Sequence, residues 1–280
     1  SRIITMLAWY KVFILSVTYI VCDALNLADI PCGQAHFRNG KIVGGHSAVP
    51  GEIPWVVSIR RNGKHFCGGA IISRRTVLSA AHCFIKYGKY NFTVVVGEFN
   101  LKLPEIPESI EHLVKEVKVL DGFNYPKRMN DLAIVYLKDE VIWDEHKLPL
   151  CLPDDDTETY DGLKAIVSGW GRTEEKITGE NSDILNLVDV NVVPIKTCDS
   201  WAKEAGQKLT FHPGHMCAGY KMGGKDSCHG DSGGPLTVVD KGLYTLVGIV
   251  STGIGCARAN LPGIYTRISS YLEWIVENTI

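Results

Sequence analysis

Residues 226–235 read Asp-Ser-Cys-His-Gly-Asp-Ser-Gly-Gly-Pro. Hydroxyls, carboxylates and an imidazole sit here among glycines that favour neither helix nor strand. The same residue types make ordinary polar turns, each for its own physical reason. For chemistry they need partners: a serine hydroxyl is a weak nucleophile until a base takes its proton, and a histidine base needs a carboxylate to hold its tautomer. Two segments offer those partners, Leu78-Ser79-Ala80-Ala81-His82-Cys83 and Met129-Asn130-Asp131-Leu132-Ala133-Ile134. Ser232, His82 and Asp131 are thus the candidate nucleophile, base and orienting acid. Taken alone, His82 would read as a structural histidine beside a disulfide.

The elements that must position these groups are short. Apolar or alternating runs at Trp55–Ile59, Ala70–Ile72, Phe92–Val96, Leu132–Leu137 and Leu246–Val250 recur between clusters of Gly, Pro, Asn and Asp. That pattern predicts an all-β sandwich or barrel. One convincing helix is predicted at the end of the sequence, with Ser269 or Ser270 as cap, Leu272, Ile275, Val276 and Thr279 on one face, and Tyr271 and Trp274 flanking it. With 280 residues, 45% hydrophobic and 21% charged, the composition is that of a folded protein with a sizeable core. The 29 basic and 31 acidic residues nearly cancel and form no basic run, which argues against a nucleic-acid partner.

Lys11 precedes the apolar stretch Val12–Cys22, and Cys22 and Ala24 are small residues separated by Asp23. This reads as a signal peptide over 1–24, cleaved after Ala24, with Met6 as initiator and Ser1–Thr5 as upstream translated sequence. A membrane anchor is the competing reading, but the apolar run is short of the ~20 residues a spanning helix needs. The expectation is a secreted, extracellular protein with no membrane anchor. Nine cysteines fall to eight once Cys22 is removed, enough for four disulfides, and no pair has zinc-site spacing. Residues 25–41 read as a tail or prosegment, leaving 42–280 as the main domain.

The segments "LSAAHC", "NDLAIVYL" and "GDSGGP", in the order His, Asp, Ser, resemble the three catalytic blocks of the chymotrypsin-like, trypsin-type serine proteases. The similarity covers 42–280. It implies two six-stranded Greek-key β-barrels packed together with a C-terminal α-helix, dividing near 145–165. It also implies a triad of His82, Asp131 and Ser232, an oxyanion hole from the N–H groups of Gly230 and Ser232, and no cofactor required for catalysis. Asn39-Gly40-Lys41-Ile42-Val43-Gly44-Gly45 is similar to the family's activation junction. Cleavage after Lys41 would free the Ile42 amino group to pair with Asp231; otherwise the segment is simply the start of a strand. Asp226 matches the floor of the specificity pocket and implies cleavage after Lys or Arg, with Ser227, His229, Ser251, Gly253 and Gly263 as further substrate-binding positions. The implied partners are protein or peptide substrates, an activating protease and protein protease inhibitors. A catalytically silent homologue acting as a binding partner is the alternative, although such proteins typically lose a triad residue.

The implied disulfides are Cys67–Cys83, Cys198–Cys217, Cys228–Cys256 and Cys32–Cys151, the last keeping a cleaved prosegment attached. A further bridge found in many digestive members has Ala165 and Val238 at its two positions. Thr252 stands where the family usually has Trp, and His229 where Gln is commoner. Glu98, Glu105 and Glu108, with the carbonyls of Asn100 and Leu103, fall at offsets resembling a calcium loop, and oxygen ligands in that number suit Ca²⁺. Asn91-Phe92-Thr93 is a glycosylation sequon.

Overall fold

A computed structural model of the chain describes residues 32–35, 45–87, 92–175 and 180–280. The signal segment, Lys41, Ile42 and Asn91 lie outside the described residues.

Six antiparallel strands close the first barrel: β2 (Val56–Arg61), β3 (Lys64–Ile71), β4 (Thr76–Ser79), β5 (Phe92–Val96), β6 (Ile110–Val119) and β7 (Ala133–Leu137), in the order β2-β3-β4-β7-β6-β5. The β2–β3 hairpin turns on Asn62-Gly63, both with positive φ (52° and 75°), the pairing that matches the right-handed strand twist. Trp55, Ile59, Leu78, Ile134 and Leu137 are fully buried among its core residues.

The second barrel runs β9 (Asn186–Val193), β10 (His215–Gly219), β13 (Gly263–Arg267), β12 (Leu243–Thr252), β11 (Pro235–Asp240) and β8 (Lys164–Gly169), closed by the β8–β9 pairing. The two-residue strand β1 (His46–Ser47) pairs with β9. Met216, Leu236, Val238, Val247 and Tyr265 fill its core. All four disulfides implied by the resemblance are present. Ala165 and Val238 are register partners across β8 and β11 and both are buried, so an apolar pair occupies the place of the missing bridge.

Two helical expectations need correction. Helix α1 (Ile195–Glu204) is absent from the sequence reading, although Pro194 precedes it and Gly206 follows it, and Cys198 and Ala202 face inward. The last helix, α2 (Leu272–Glu277), is only six residues long and has no side-chain cap. Ser269 and Ser270 instead donate to the carbonyls of Glu158 and Pro213. Of the predicted stripe, Ile275 is buried while Val276 is 46% exposed. The segment after α2 crosses to the first barrel, where Tyr136 donates to the Asn278 carbonyl and Ser73 and Thr76 to that of Ile280. Among the described residues no helix is long and apolar enough to cross a membrane.

The Ala165–Val238 register yields a prediction. Directly paired antiparallel residues have Cα atoms about 4.5–5.5 Å apart, within disulfide range. The double variant Ala165→Cys/Val238→Cys is expected to form a fifth bridge, visible as one cross-linked peptide by mass spectrometry. It should raise stability to denaturant by about 2 kcal/mol under oxidising conditions. Free thiols at both positions would refute the register.

Candidate active site

The site gathers on loops between the barrels. His82 lies on a 3-10 turn, Ala81–Cys83, just after β4, and its backbone is held where Cys83 joins Cys67. Asp131 immediately precedes Leu132 and β7 and is fully buried. One of its carboxylate oxygens accepts from the His82 backbone N–H at 2.8 Å. The other accepts from His82 Nδ1 at 2.8 Å and from the Ser251 hydroxyl at 2.5 Å. The Asp131 carbonyl accepts from Thr266 Oγ1. Burial alone would raise the Asp131 pKa, but the hydrogen bonds and charge of His82, with the bond from Ser251, outweigh it and hold the carboxyl below its ordinary range. Donation from Nδ1–H fixes the tautomer, leaving His82 Nε2 as the basic atom.

Ser232 follows a tight turn after β10 and lines the same cleft as His82. Its carbonyl accepts from Gly68 N–H at 2.8 Å, which ties the loop to the first barrel. The Ser232 hydroxyl has no hydrogen-bond partner among the described residues, a looseness common where no substrate is bound. Gly230 has φ +104°, a backbone conformation that favours glycine. Neither Gly230 N–H nor Ser232 N–H donates to a backbone carbonyl among the described residues. The Gly230 carbonyl accepts from His65 Nε2 at 3.1 Å, and His65 Nδ1 in turn lies 2.9 Å from the Ser58 hydroxyl. That relay across the barrels was not read from the sequence. The only signal for it was a histidine on a strand, which has no distinguishing pattern.

Asp226 lines the same cleft, as do Ser227, Cys228, His229, Ser251, Thr252, Gly253 and Gly263. Its oxygens accept from the Ser227 and Ala257 backbone N–H groups at 2.8 and 3.0 Å. Desolvation dominates over these bonds and pushes its pKa up to about 7. A Cβ on Gly263 would lie 2.5 Å from the Asp226 carboxylate, so only glycine keeps that carboxylate open. Ser227 accepts from the buried Tyr265 hydroxyl. Ser251, expected at a substrate-binding position, lines the cleft but gives its hydroxyl to Asp131, a role the sequence reading missed. Arg128 also lines this cleft and was likewise missed.

Asp231 is 9% exposed and accepts from Gly171 N–H and Cys228 N–H at 2.7 and 2.9 Å. Desolvation raises its pKa to about 6 despite these bonds. A second cleft reaches it, lined by Gly45, His46, Gly169, Gly171 and Lys225 among others. A Cβ on Gly171 would come within 2.4 Å of the carboxylate.

The groups expected at a calcium loop have protein partners of their own. Glu98 is buried, with one carboxylate oxygen on the Arg60 guanidinium and the other without a hydrogen-bond partner among the described residues. Glu105 accepts from the N–H groups of Phe99 and Asn100, and Asn100 Oδ1 accepts from those of Lys102 and Leu103. Glu98, Glu105 and Glu108 form no three-ligand cluster; the one such group among the described residues is Cys228, His229 and Cys256, whose cysteines are a disulfide.

Residues 42–275 match the family model Trypsin. Transmembrane protease serine 11C of Mus musculus is 37% identical over 259 residues, which are 91% of this chain and 58% of that protein. Serine proteinase stubble of Drosophila melanogaster is 39% identical over 254 residues, 85% of this chain and 31% of that protein. The chain therefore spans less than two thirds of either relative. With this match and two closed antiparallel barrels around a shared cleft, the chain belongs to the trypsin family of serine proteases, hydrolases that act on protein substrates and need no cofactor for catalysis.

Proposed function

We propose that the chain is the secreted zymogen of an endopeptidase that hydrolyses peptide bonds after Lys or Arg and is activated by cleavage after Lys41. The observation that carries this reading is one cleft lined by His82, Ser232 and the carboxylate of Asp226, with His82 fixed by buried Asp131. In this mechanism His82 Nε2 takes the Ser232 proton as Oγ attacks the scissile carbonyl, and the N–H groups of Gly230 and Ser232 receive the oxyanion. Asp131 balances the charge on the imidazolium, which then protonates the leaving amine. Water repeats the sequence on the acyl-enzyme and restores Ser232. A substrate Lys or Arg would give Asp226 a cation, which it does not have among the described residues, and an isolated buried carboxylate favours such a partner strongly.

Activation follows the same electrostatic logic. Gly45 borders the cleft that reaches Asp231, and Ile42 is three residues away, about 10 Å of extended chain. A new amino group on Ile42 can therefore reach the Asp231 carboxylate, which among the described residues accepts from two N–H groups. The Cys32–Cys151 bridge would hold the prosegment after cleavage. Release from the cell after cleavage at Ala24, and the need for an activating protease and susceptibility to protein inhibitors, belong to the same proposal.

Three outcomes are expected. Material activated after Lys41 should be labelled by an organophosphonate at Ser232, and Ser232→Ala should lose labelling and activity together. Asp131→Asn should lower kcat by about 10⁴ at neutral pH, the size that this family's triad carboxylate shows for that exchange. Peptidase activity that survives in Ser232→Ala would remove the nucleophile assignment.

The raised Asp226 pKa sets a pH dependence. Below about 7 the free carboxyl is protonated, so binding a cation must first ionise it. The affinity of a small amidinium inhibitor should weaken by up to tenfold per pH unit below that value and level off above it. A flat profile from pH 5 to 8, measured by competition against a neutral active-site ligand, would refute Asp226 as the cation's partner.

The uncleaved chain should be nearly inactive, and Lys41→Gln should keep it so under a trypsin-like activator. In the cleaved form, pairing with Asp231 raises the Ile42 amino pKa above its unpaired value. The ordered state is then present below the unpaired value and is lost as pH rises through the raised one. Reversible alkaline loss of activity is the expected signature, and full activity of uncleaved Lys41→Gln is the result that excludes the switch.

A further inference from the structure

Among the described residues Arg128 is the one Arg or Lys that lines the cleft with His82 and Thr252, and the mechanism above does not use it. Its backbone is in the left-handed region (φ 51°), and its carbonyl is held by His215 Nε2 at 2.9 Å. Its guanidinium stacks on Tyr125 at 4.4 Å, with the Lys86 ammonium 4.0 Å from the same ring. The side chain is thus clamped, so a ligand would meet it with little ordering left to do.

Its charge is poorly compensated. Nη1 is buried and has no hydrogen-bond partner, and the nearest anion is Asp131 Oδ2 at 3.9 Å, beyond hydrogen-bond reach. That carboxylate already accepts three hydrogen bonds, from His82 twice and from Ser251. The side chain as a whole remains 20% exposed. Thr252, small where the family usually has an aromatic residue, lines the same cleft and leaves this wall polar.

We propose that Arg128 is a specificity residue that selects substrates bearing a carboxylate one to three residues before the cleaved Lys or Arg. This rests on the reading of Asp226 as the partner of the substrate's basic side chain. With that side chain seated on Asp226, the preceding residues of an extended peptide lie within about 10 Å, alternating sides at each step. A Glu or Asp side chain that turns toward Arg128 forms a charge-assisted hydrogen bond in a partly desolvated wall, and the second cation, Lys86, deepens the positive potential there.

The test uses the full chain activated after Lys41 and normalised by active-site titration. Peptides with Arg before the scissile bond carry Glu, Gln or Lys at each of the three preceding positions. At one of those positions kcat/KM should be about tenfold higher for Glu than for Gln, falling as salt is raised. That ratio should approach one in Arg128→Gln and return in part in Arg128→Lys. Efficient cleavage after Arg with no Glu preference at any position overturns this proposal and leaves the Asp226 reading intact. Failure to cleave after Arg overturns the Asp226 reading, and this proposal with it. An equal loss on all peptides in Arg128→Gln, with the Glu-to-Gln ratio unchanged, makes Arg128 a support for Asp131 and also overturns it.

Discussion

The buried carboxylate of Asp131 is the interaction on which both the fold and the site depend. Its donors come from the two halves of the molecule, His82 from the first barrel and Ser251 and Thr266 from the second. A carboxylate at 0% exposure is tolerable only where those donors arrive together, because removing one partner of a buried charge typically costs 3–5 kcal/mol. The apolar contact around it is continuous, with Leu132 and Ile134 in one cluster with Leu246, Ile249 and Ile268. Apolar packing is non-directional and tolerates sliding. The hydrogen bonds to Asp131 do not, so they fix how the two barrels meet and hold His82 in the cleft that Ser232 also lines.

The other two site carboxylates follow the opposite rule. Asp131 is satisfied and its pKa is depressed; its contribution to stability is present above its unfolded value and lost as pH falls through the folded one. Asp226 and Asp231 are held mainly by backbone N–H groups, and burial raises them to about 7 and about 6. For an acid raised in this way the folded state binds more protons than the unfolded one between 3.8 and the raised value. These two groups therefore draw stability down as pH rises through that window. A cation supplied from outside each pocket relieves the cost. Two sites of stored electrostatic tension lie five residues apart in one loop, which is why a single segment can serve both recognition and switching.

What the sequence made legible was the part whose chemistry is local. Strand β5 matches the Phe92–Val96 run residue for residue, and the four disulfides are those that the family resemblance implied. Two kinds of feature were not legible. Helix α1 has polar residues such as Lys196, Thr197 and Asp199 around two inward small residues, so its apolar stripe is too thin to stand out, and tertiary contact through Cys198–Cys217 holds it. The roles of Ser251, His65 and Arg128 depend on distances between residues far apart in the chain. The Arg60 partner of Glu98 was hidden for the same reason, since spacing along the chain cannot reveal it.

The position of Arg128 links recognition to catalysis. A guanidinium 3.9 Å from Asp131 draws on the same carboxylate that must stabilise the His82 imidazolium in the transition state. Without a substrate carboxylate, that competition disfavours a second positive charge on His82. With one bound to Arg128, the cation's field is partly cancelled and Asp131 is left to face His82 alone. An acidic substrate residue would then act on the step in which His82 becomes charged as well as on binding, and its effect would fall on kcat in addition to KM. A surface contact several residues from the scissile bond could not do this. The effect requires a cation held by Tyr125 and His215 at a short distance from Asp131, a carboxylate that both barrels share.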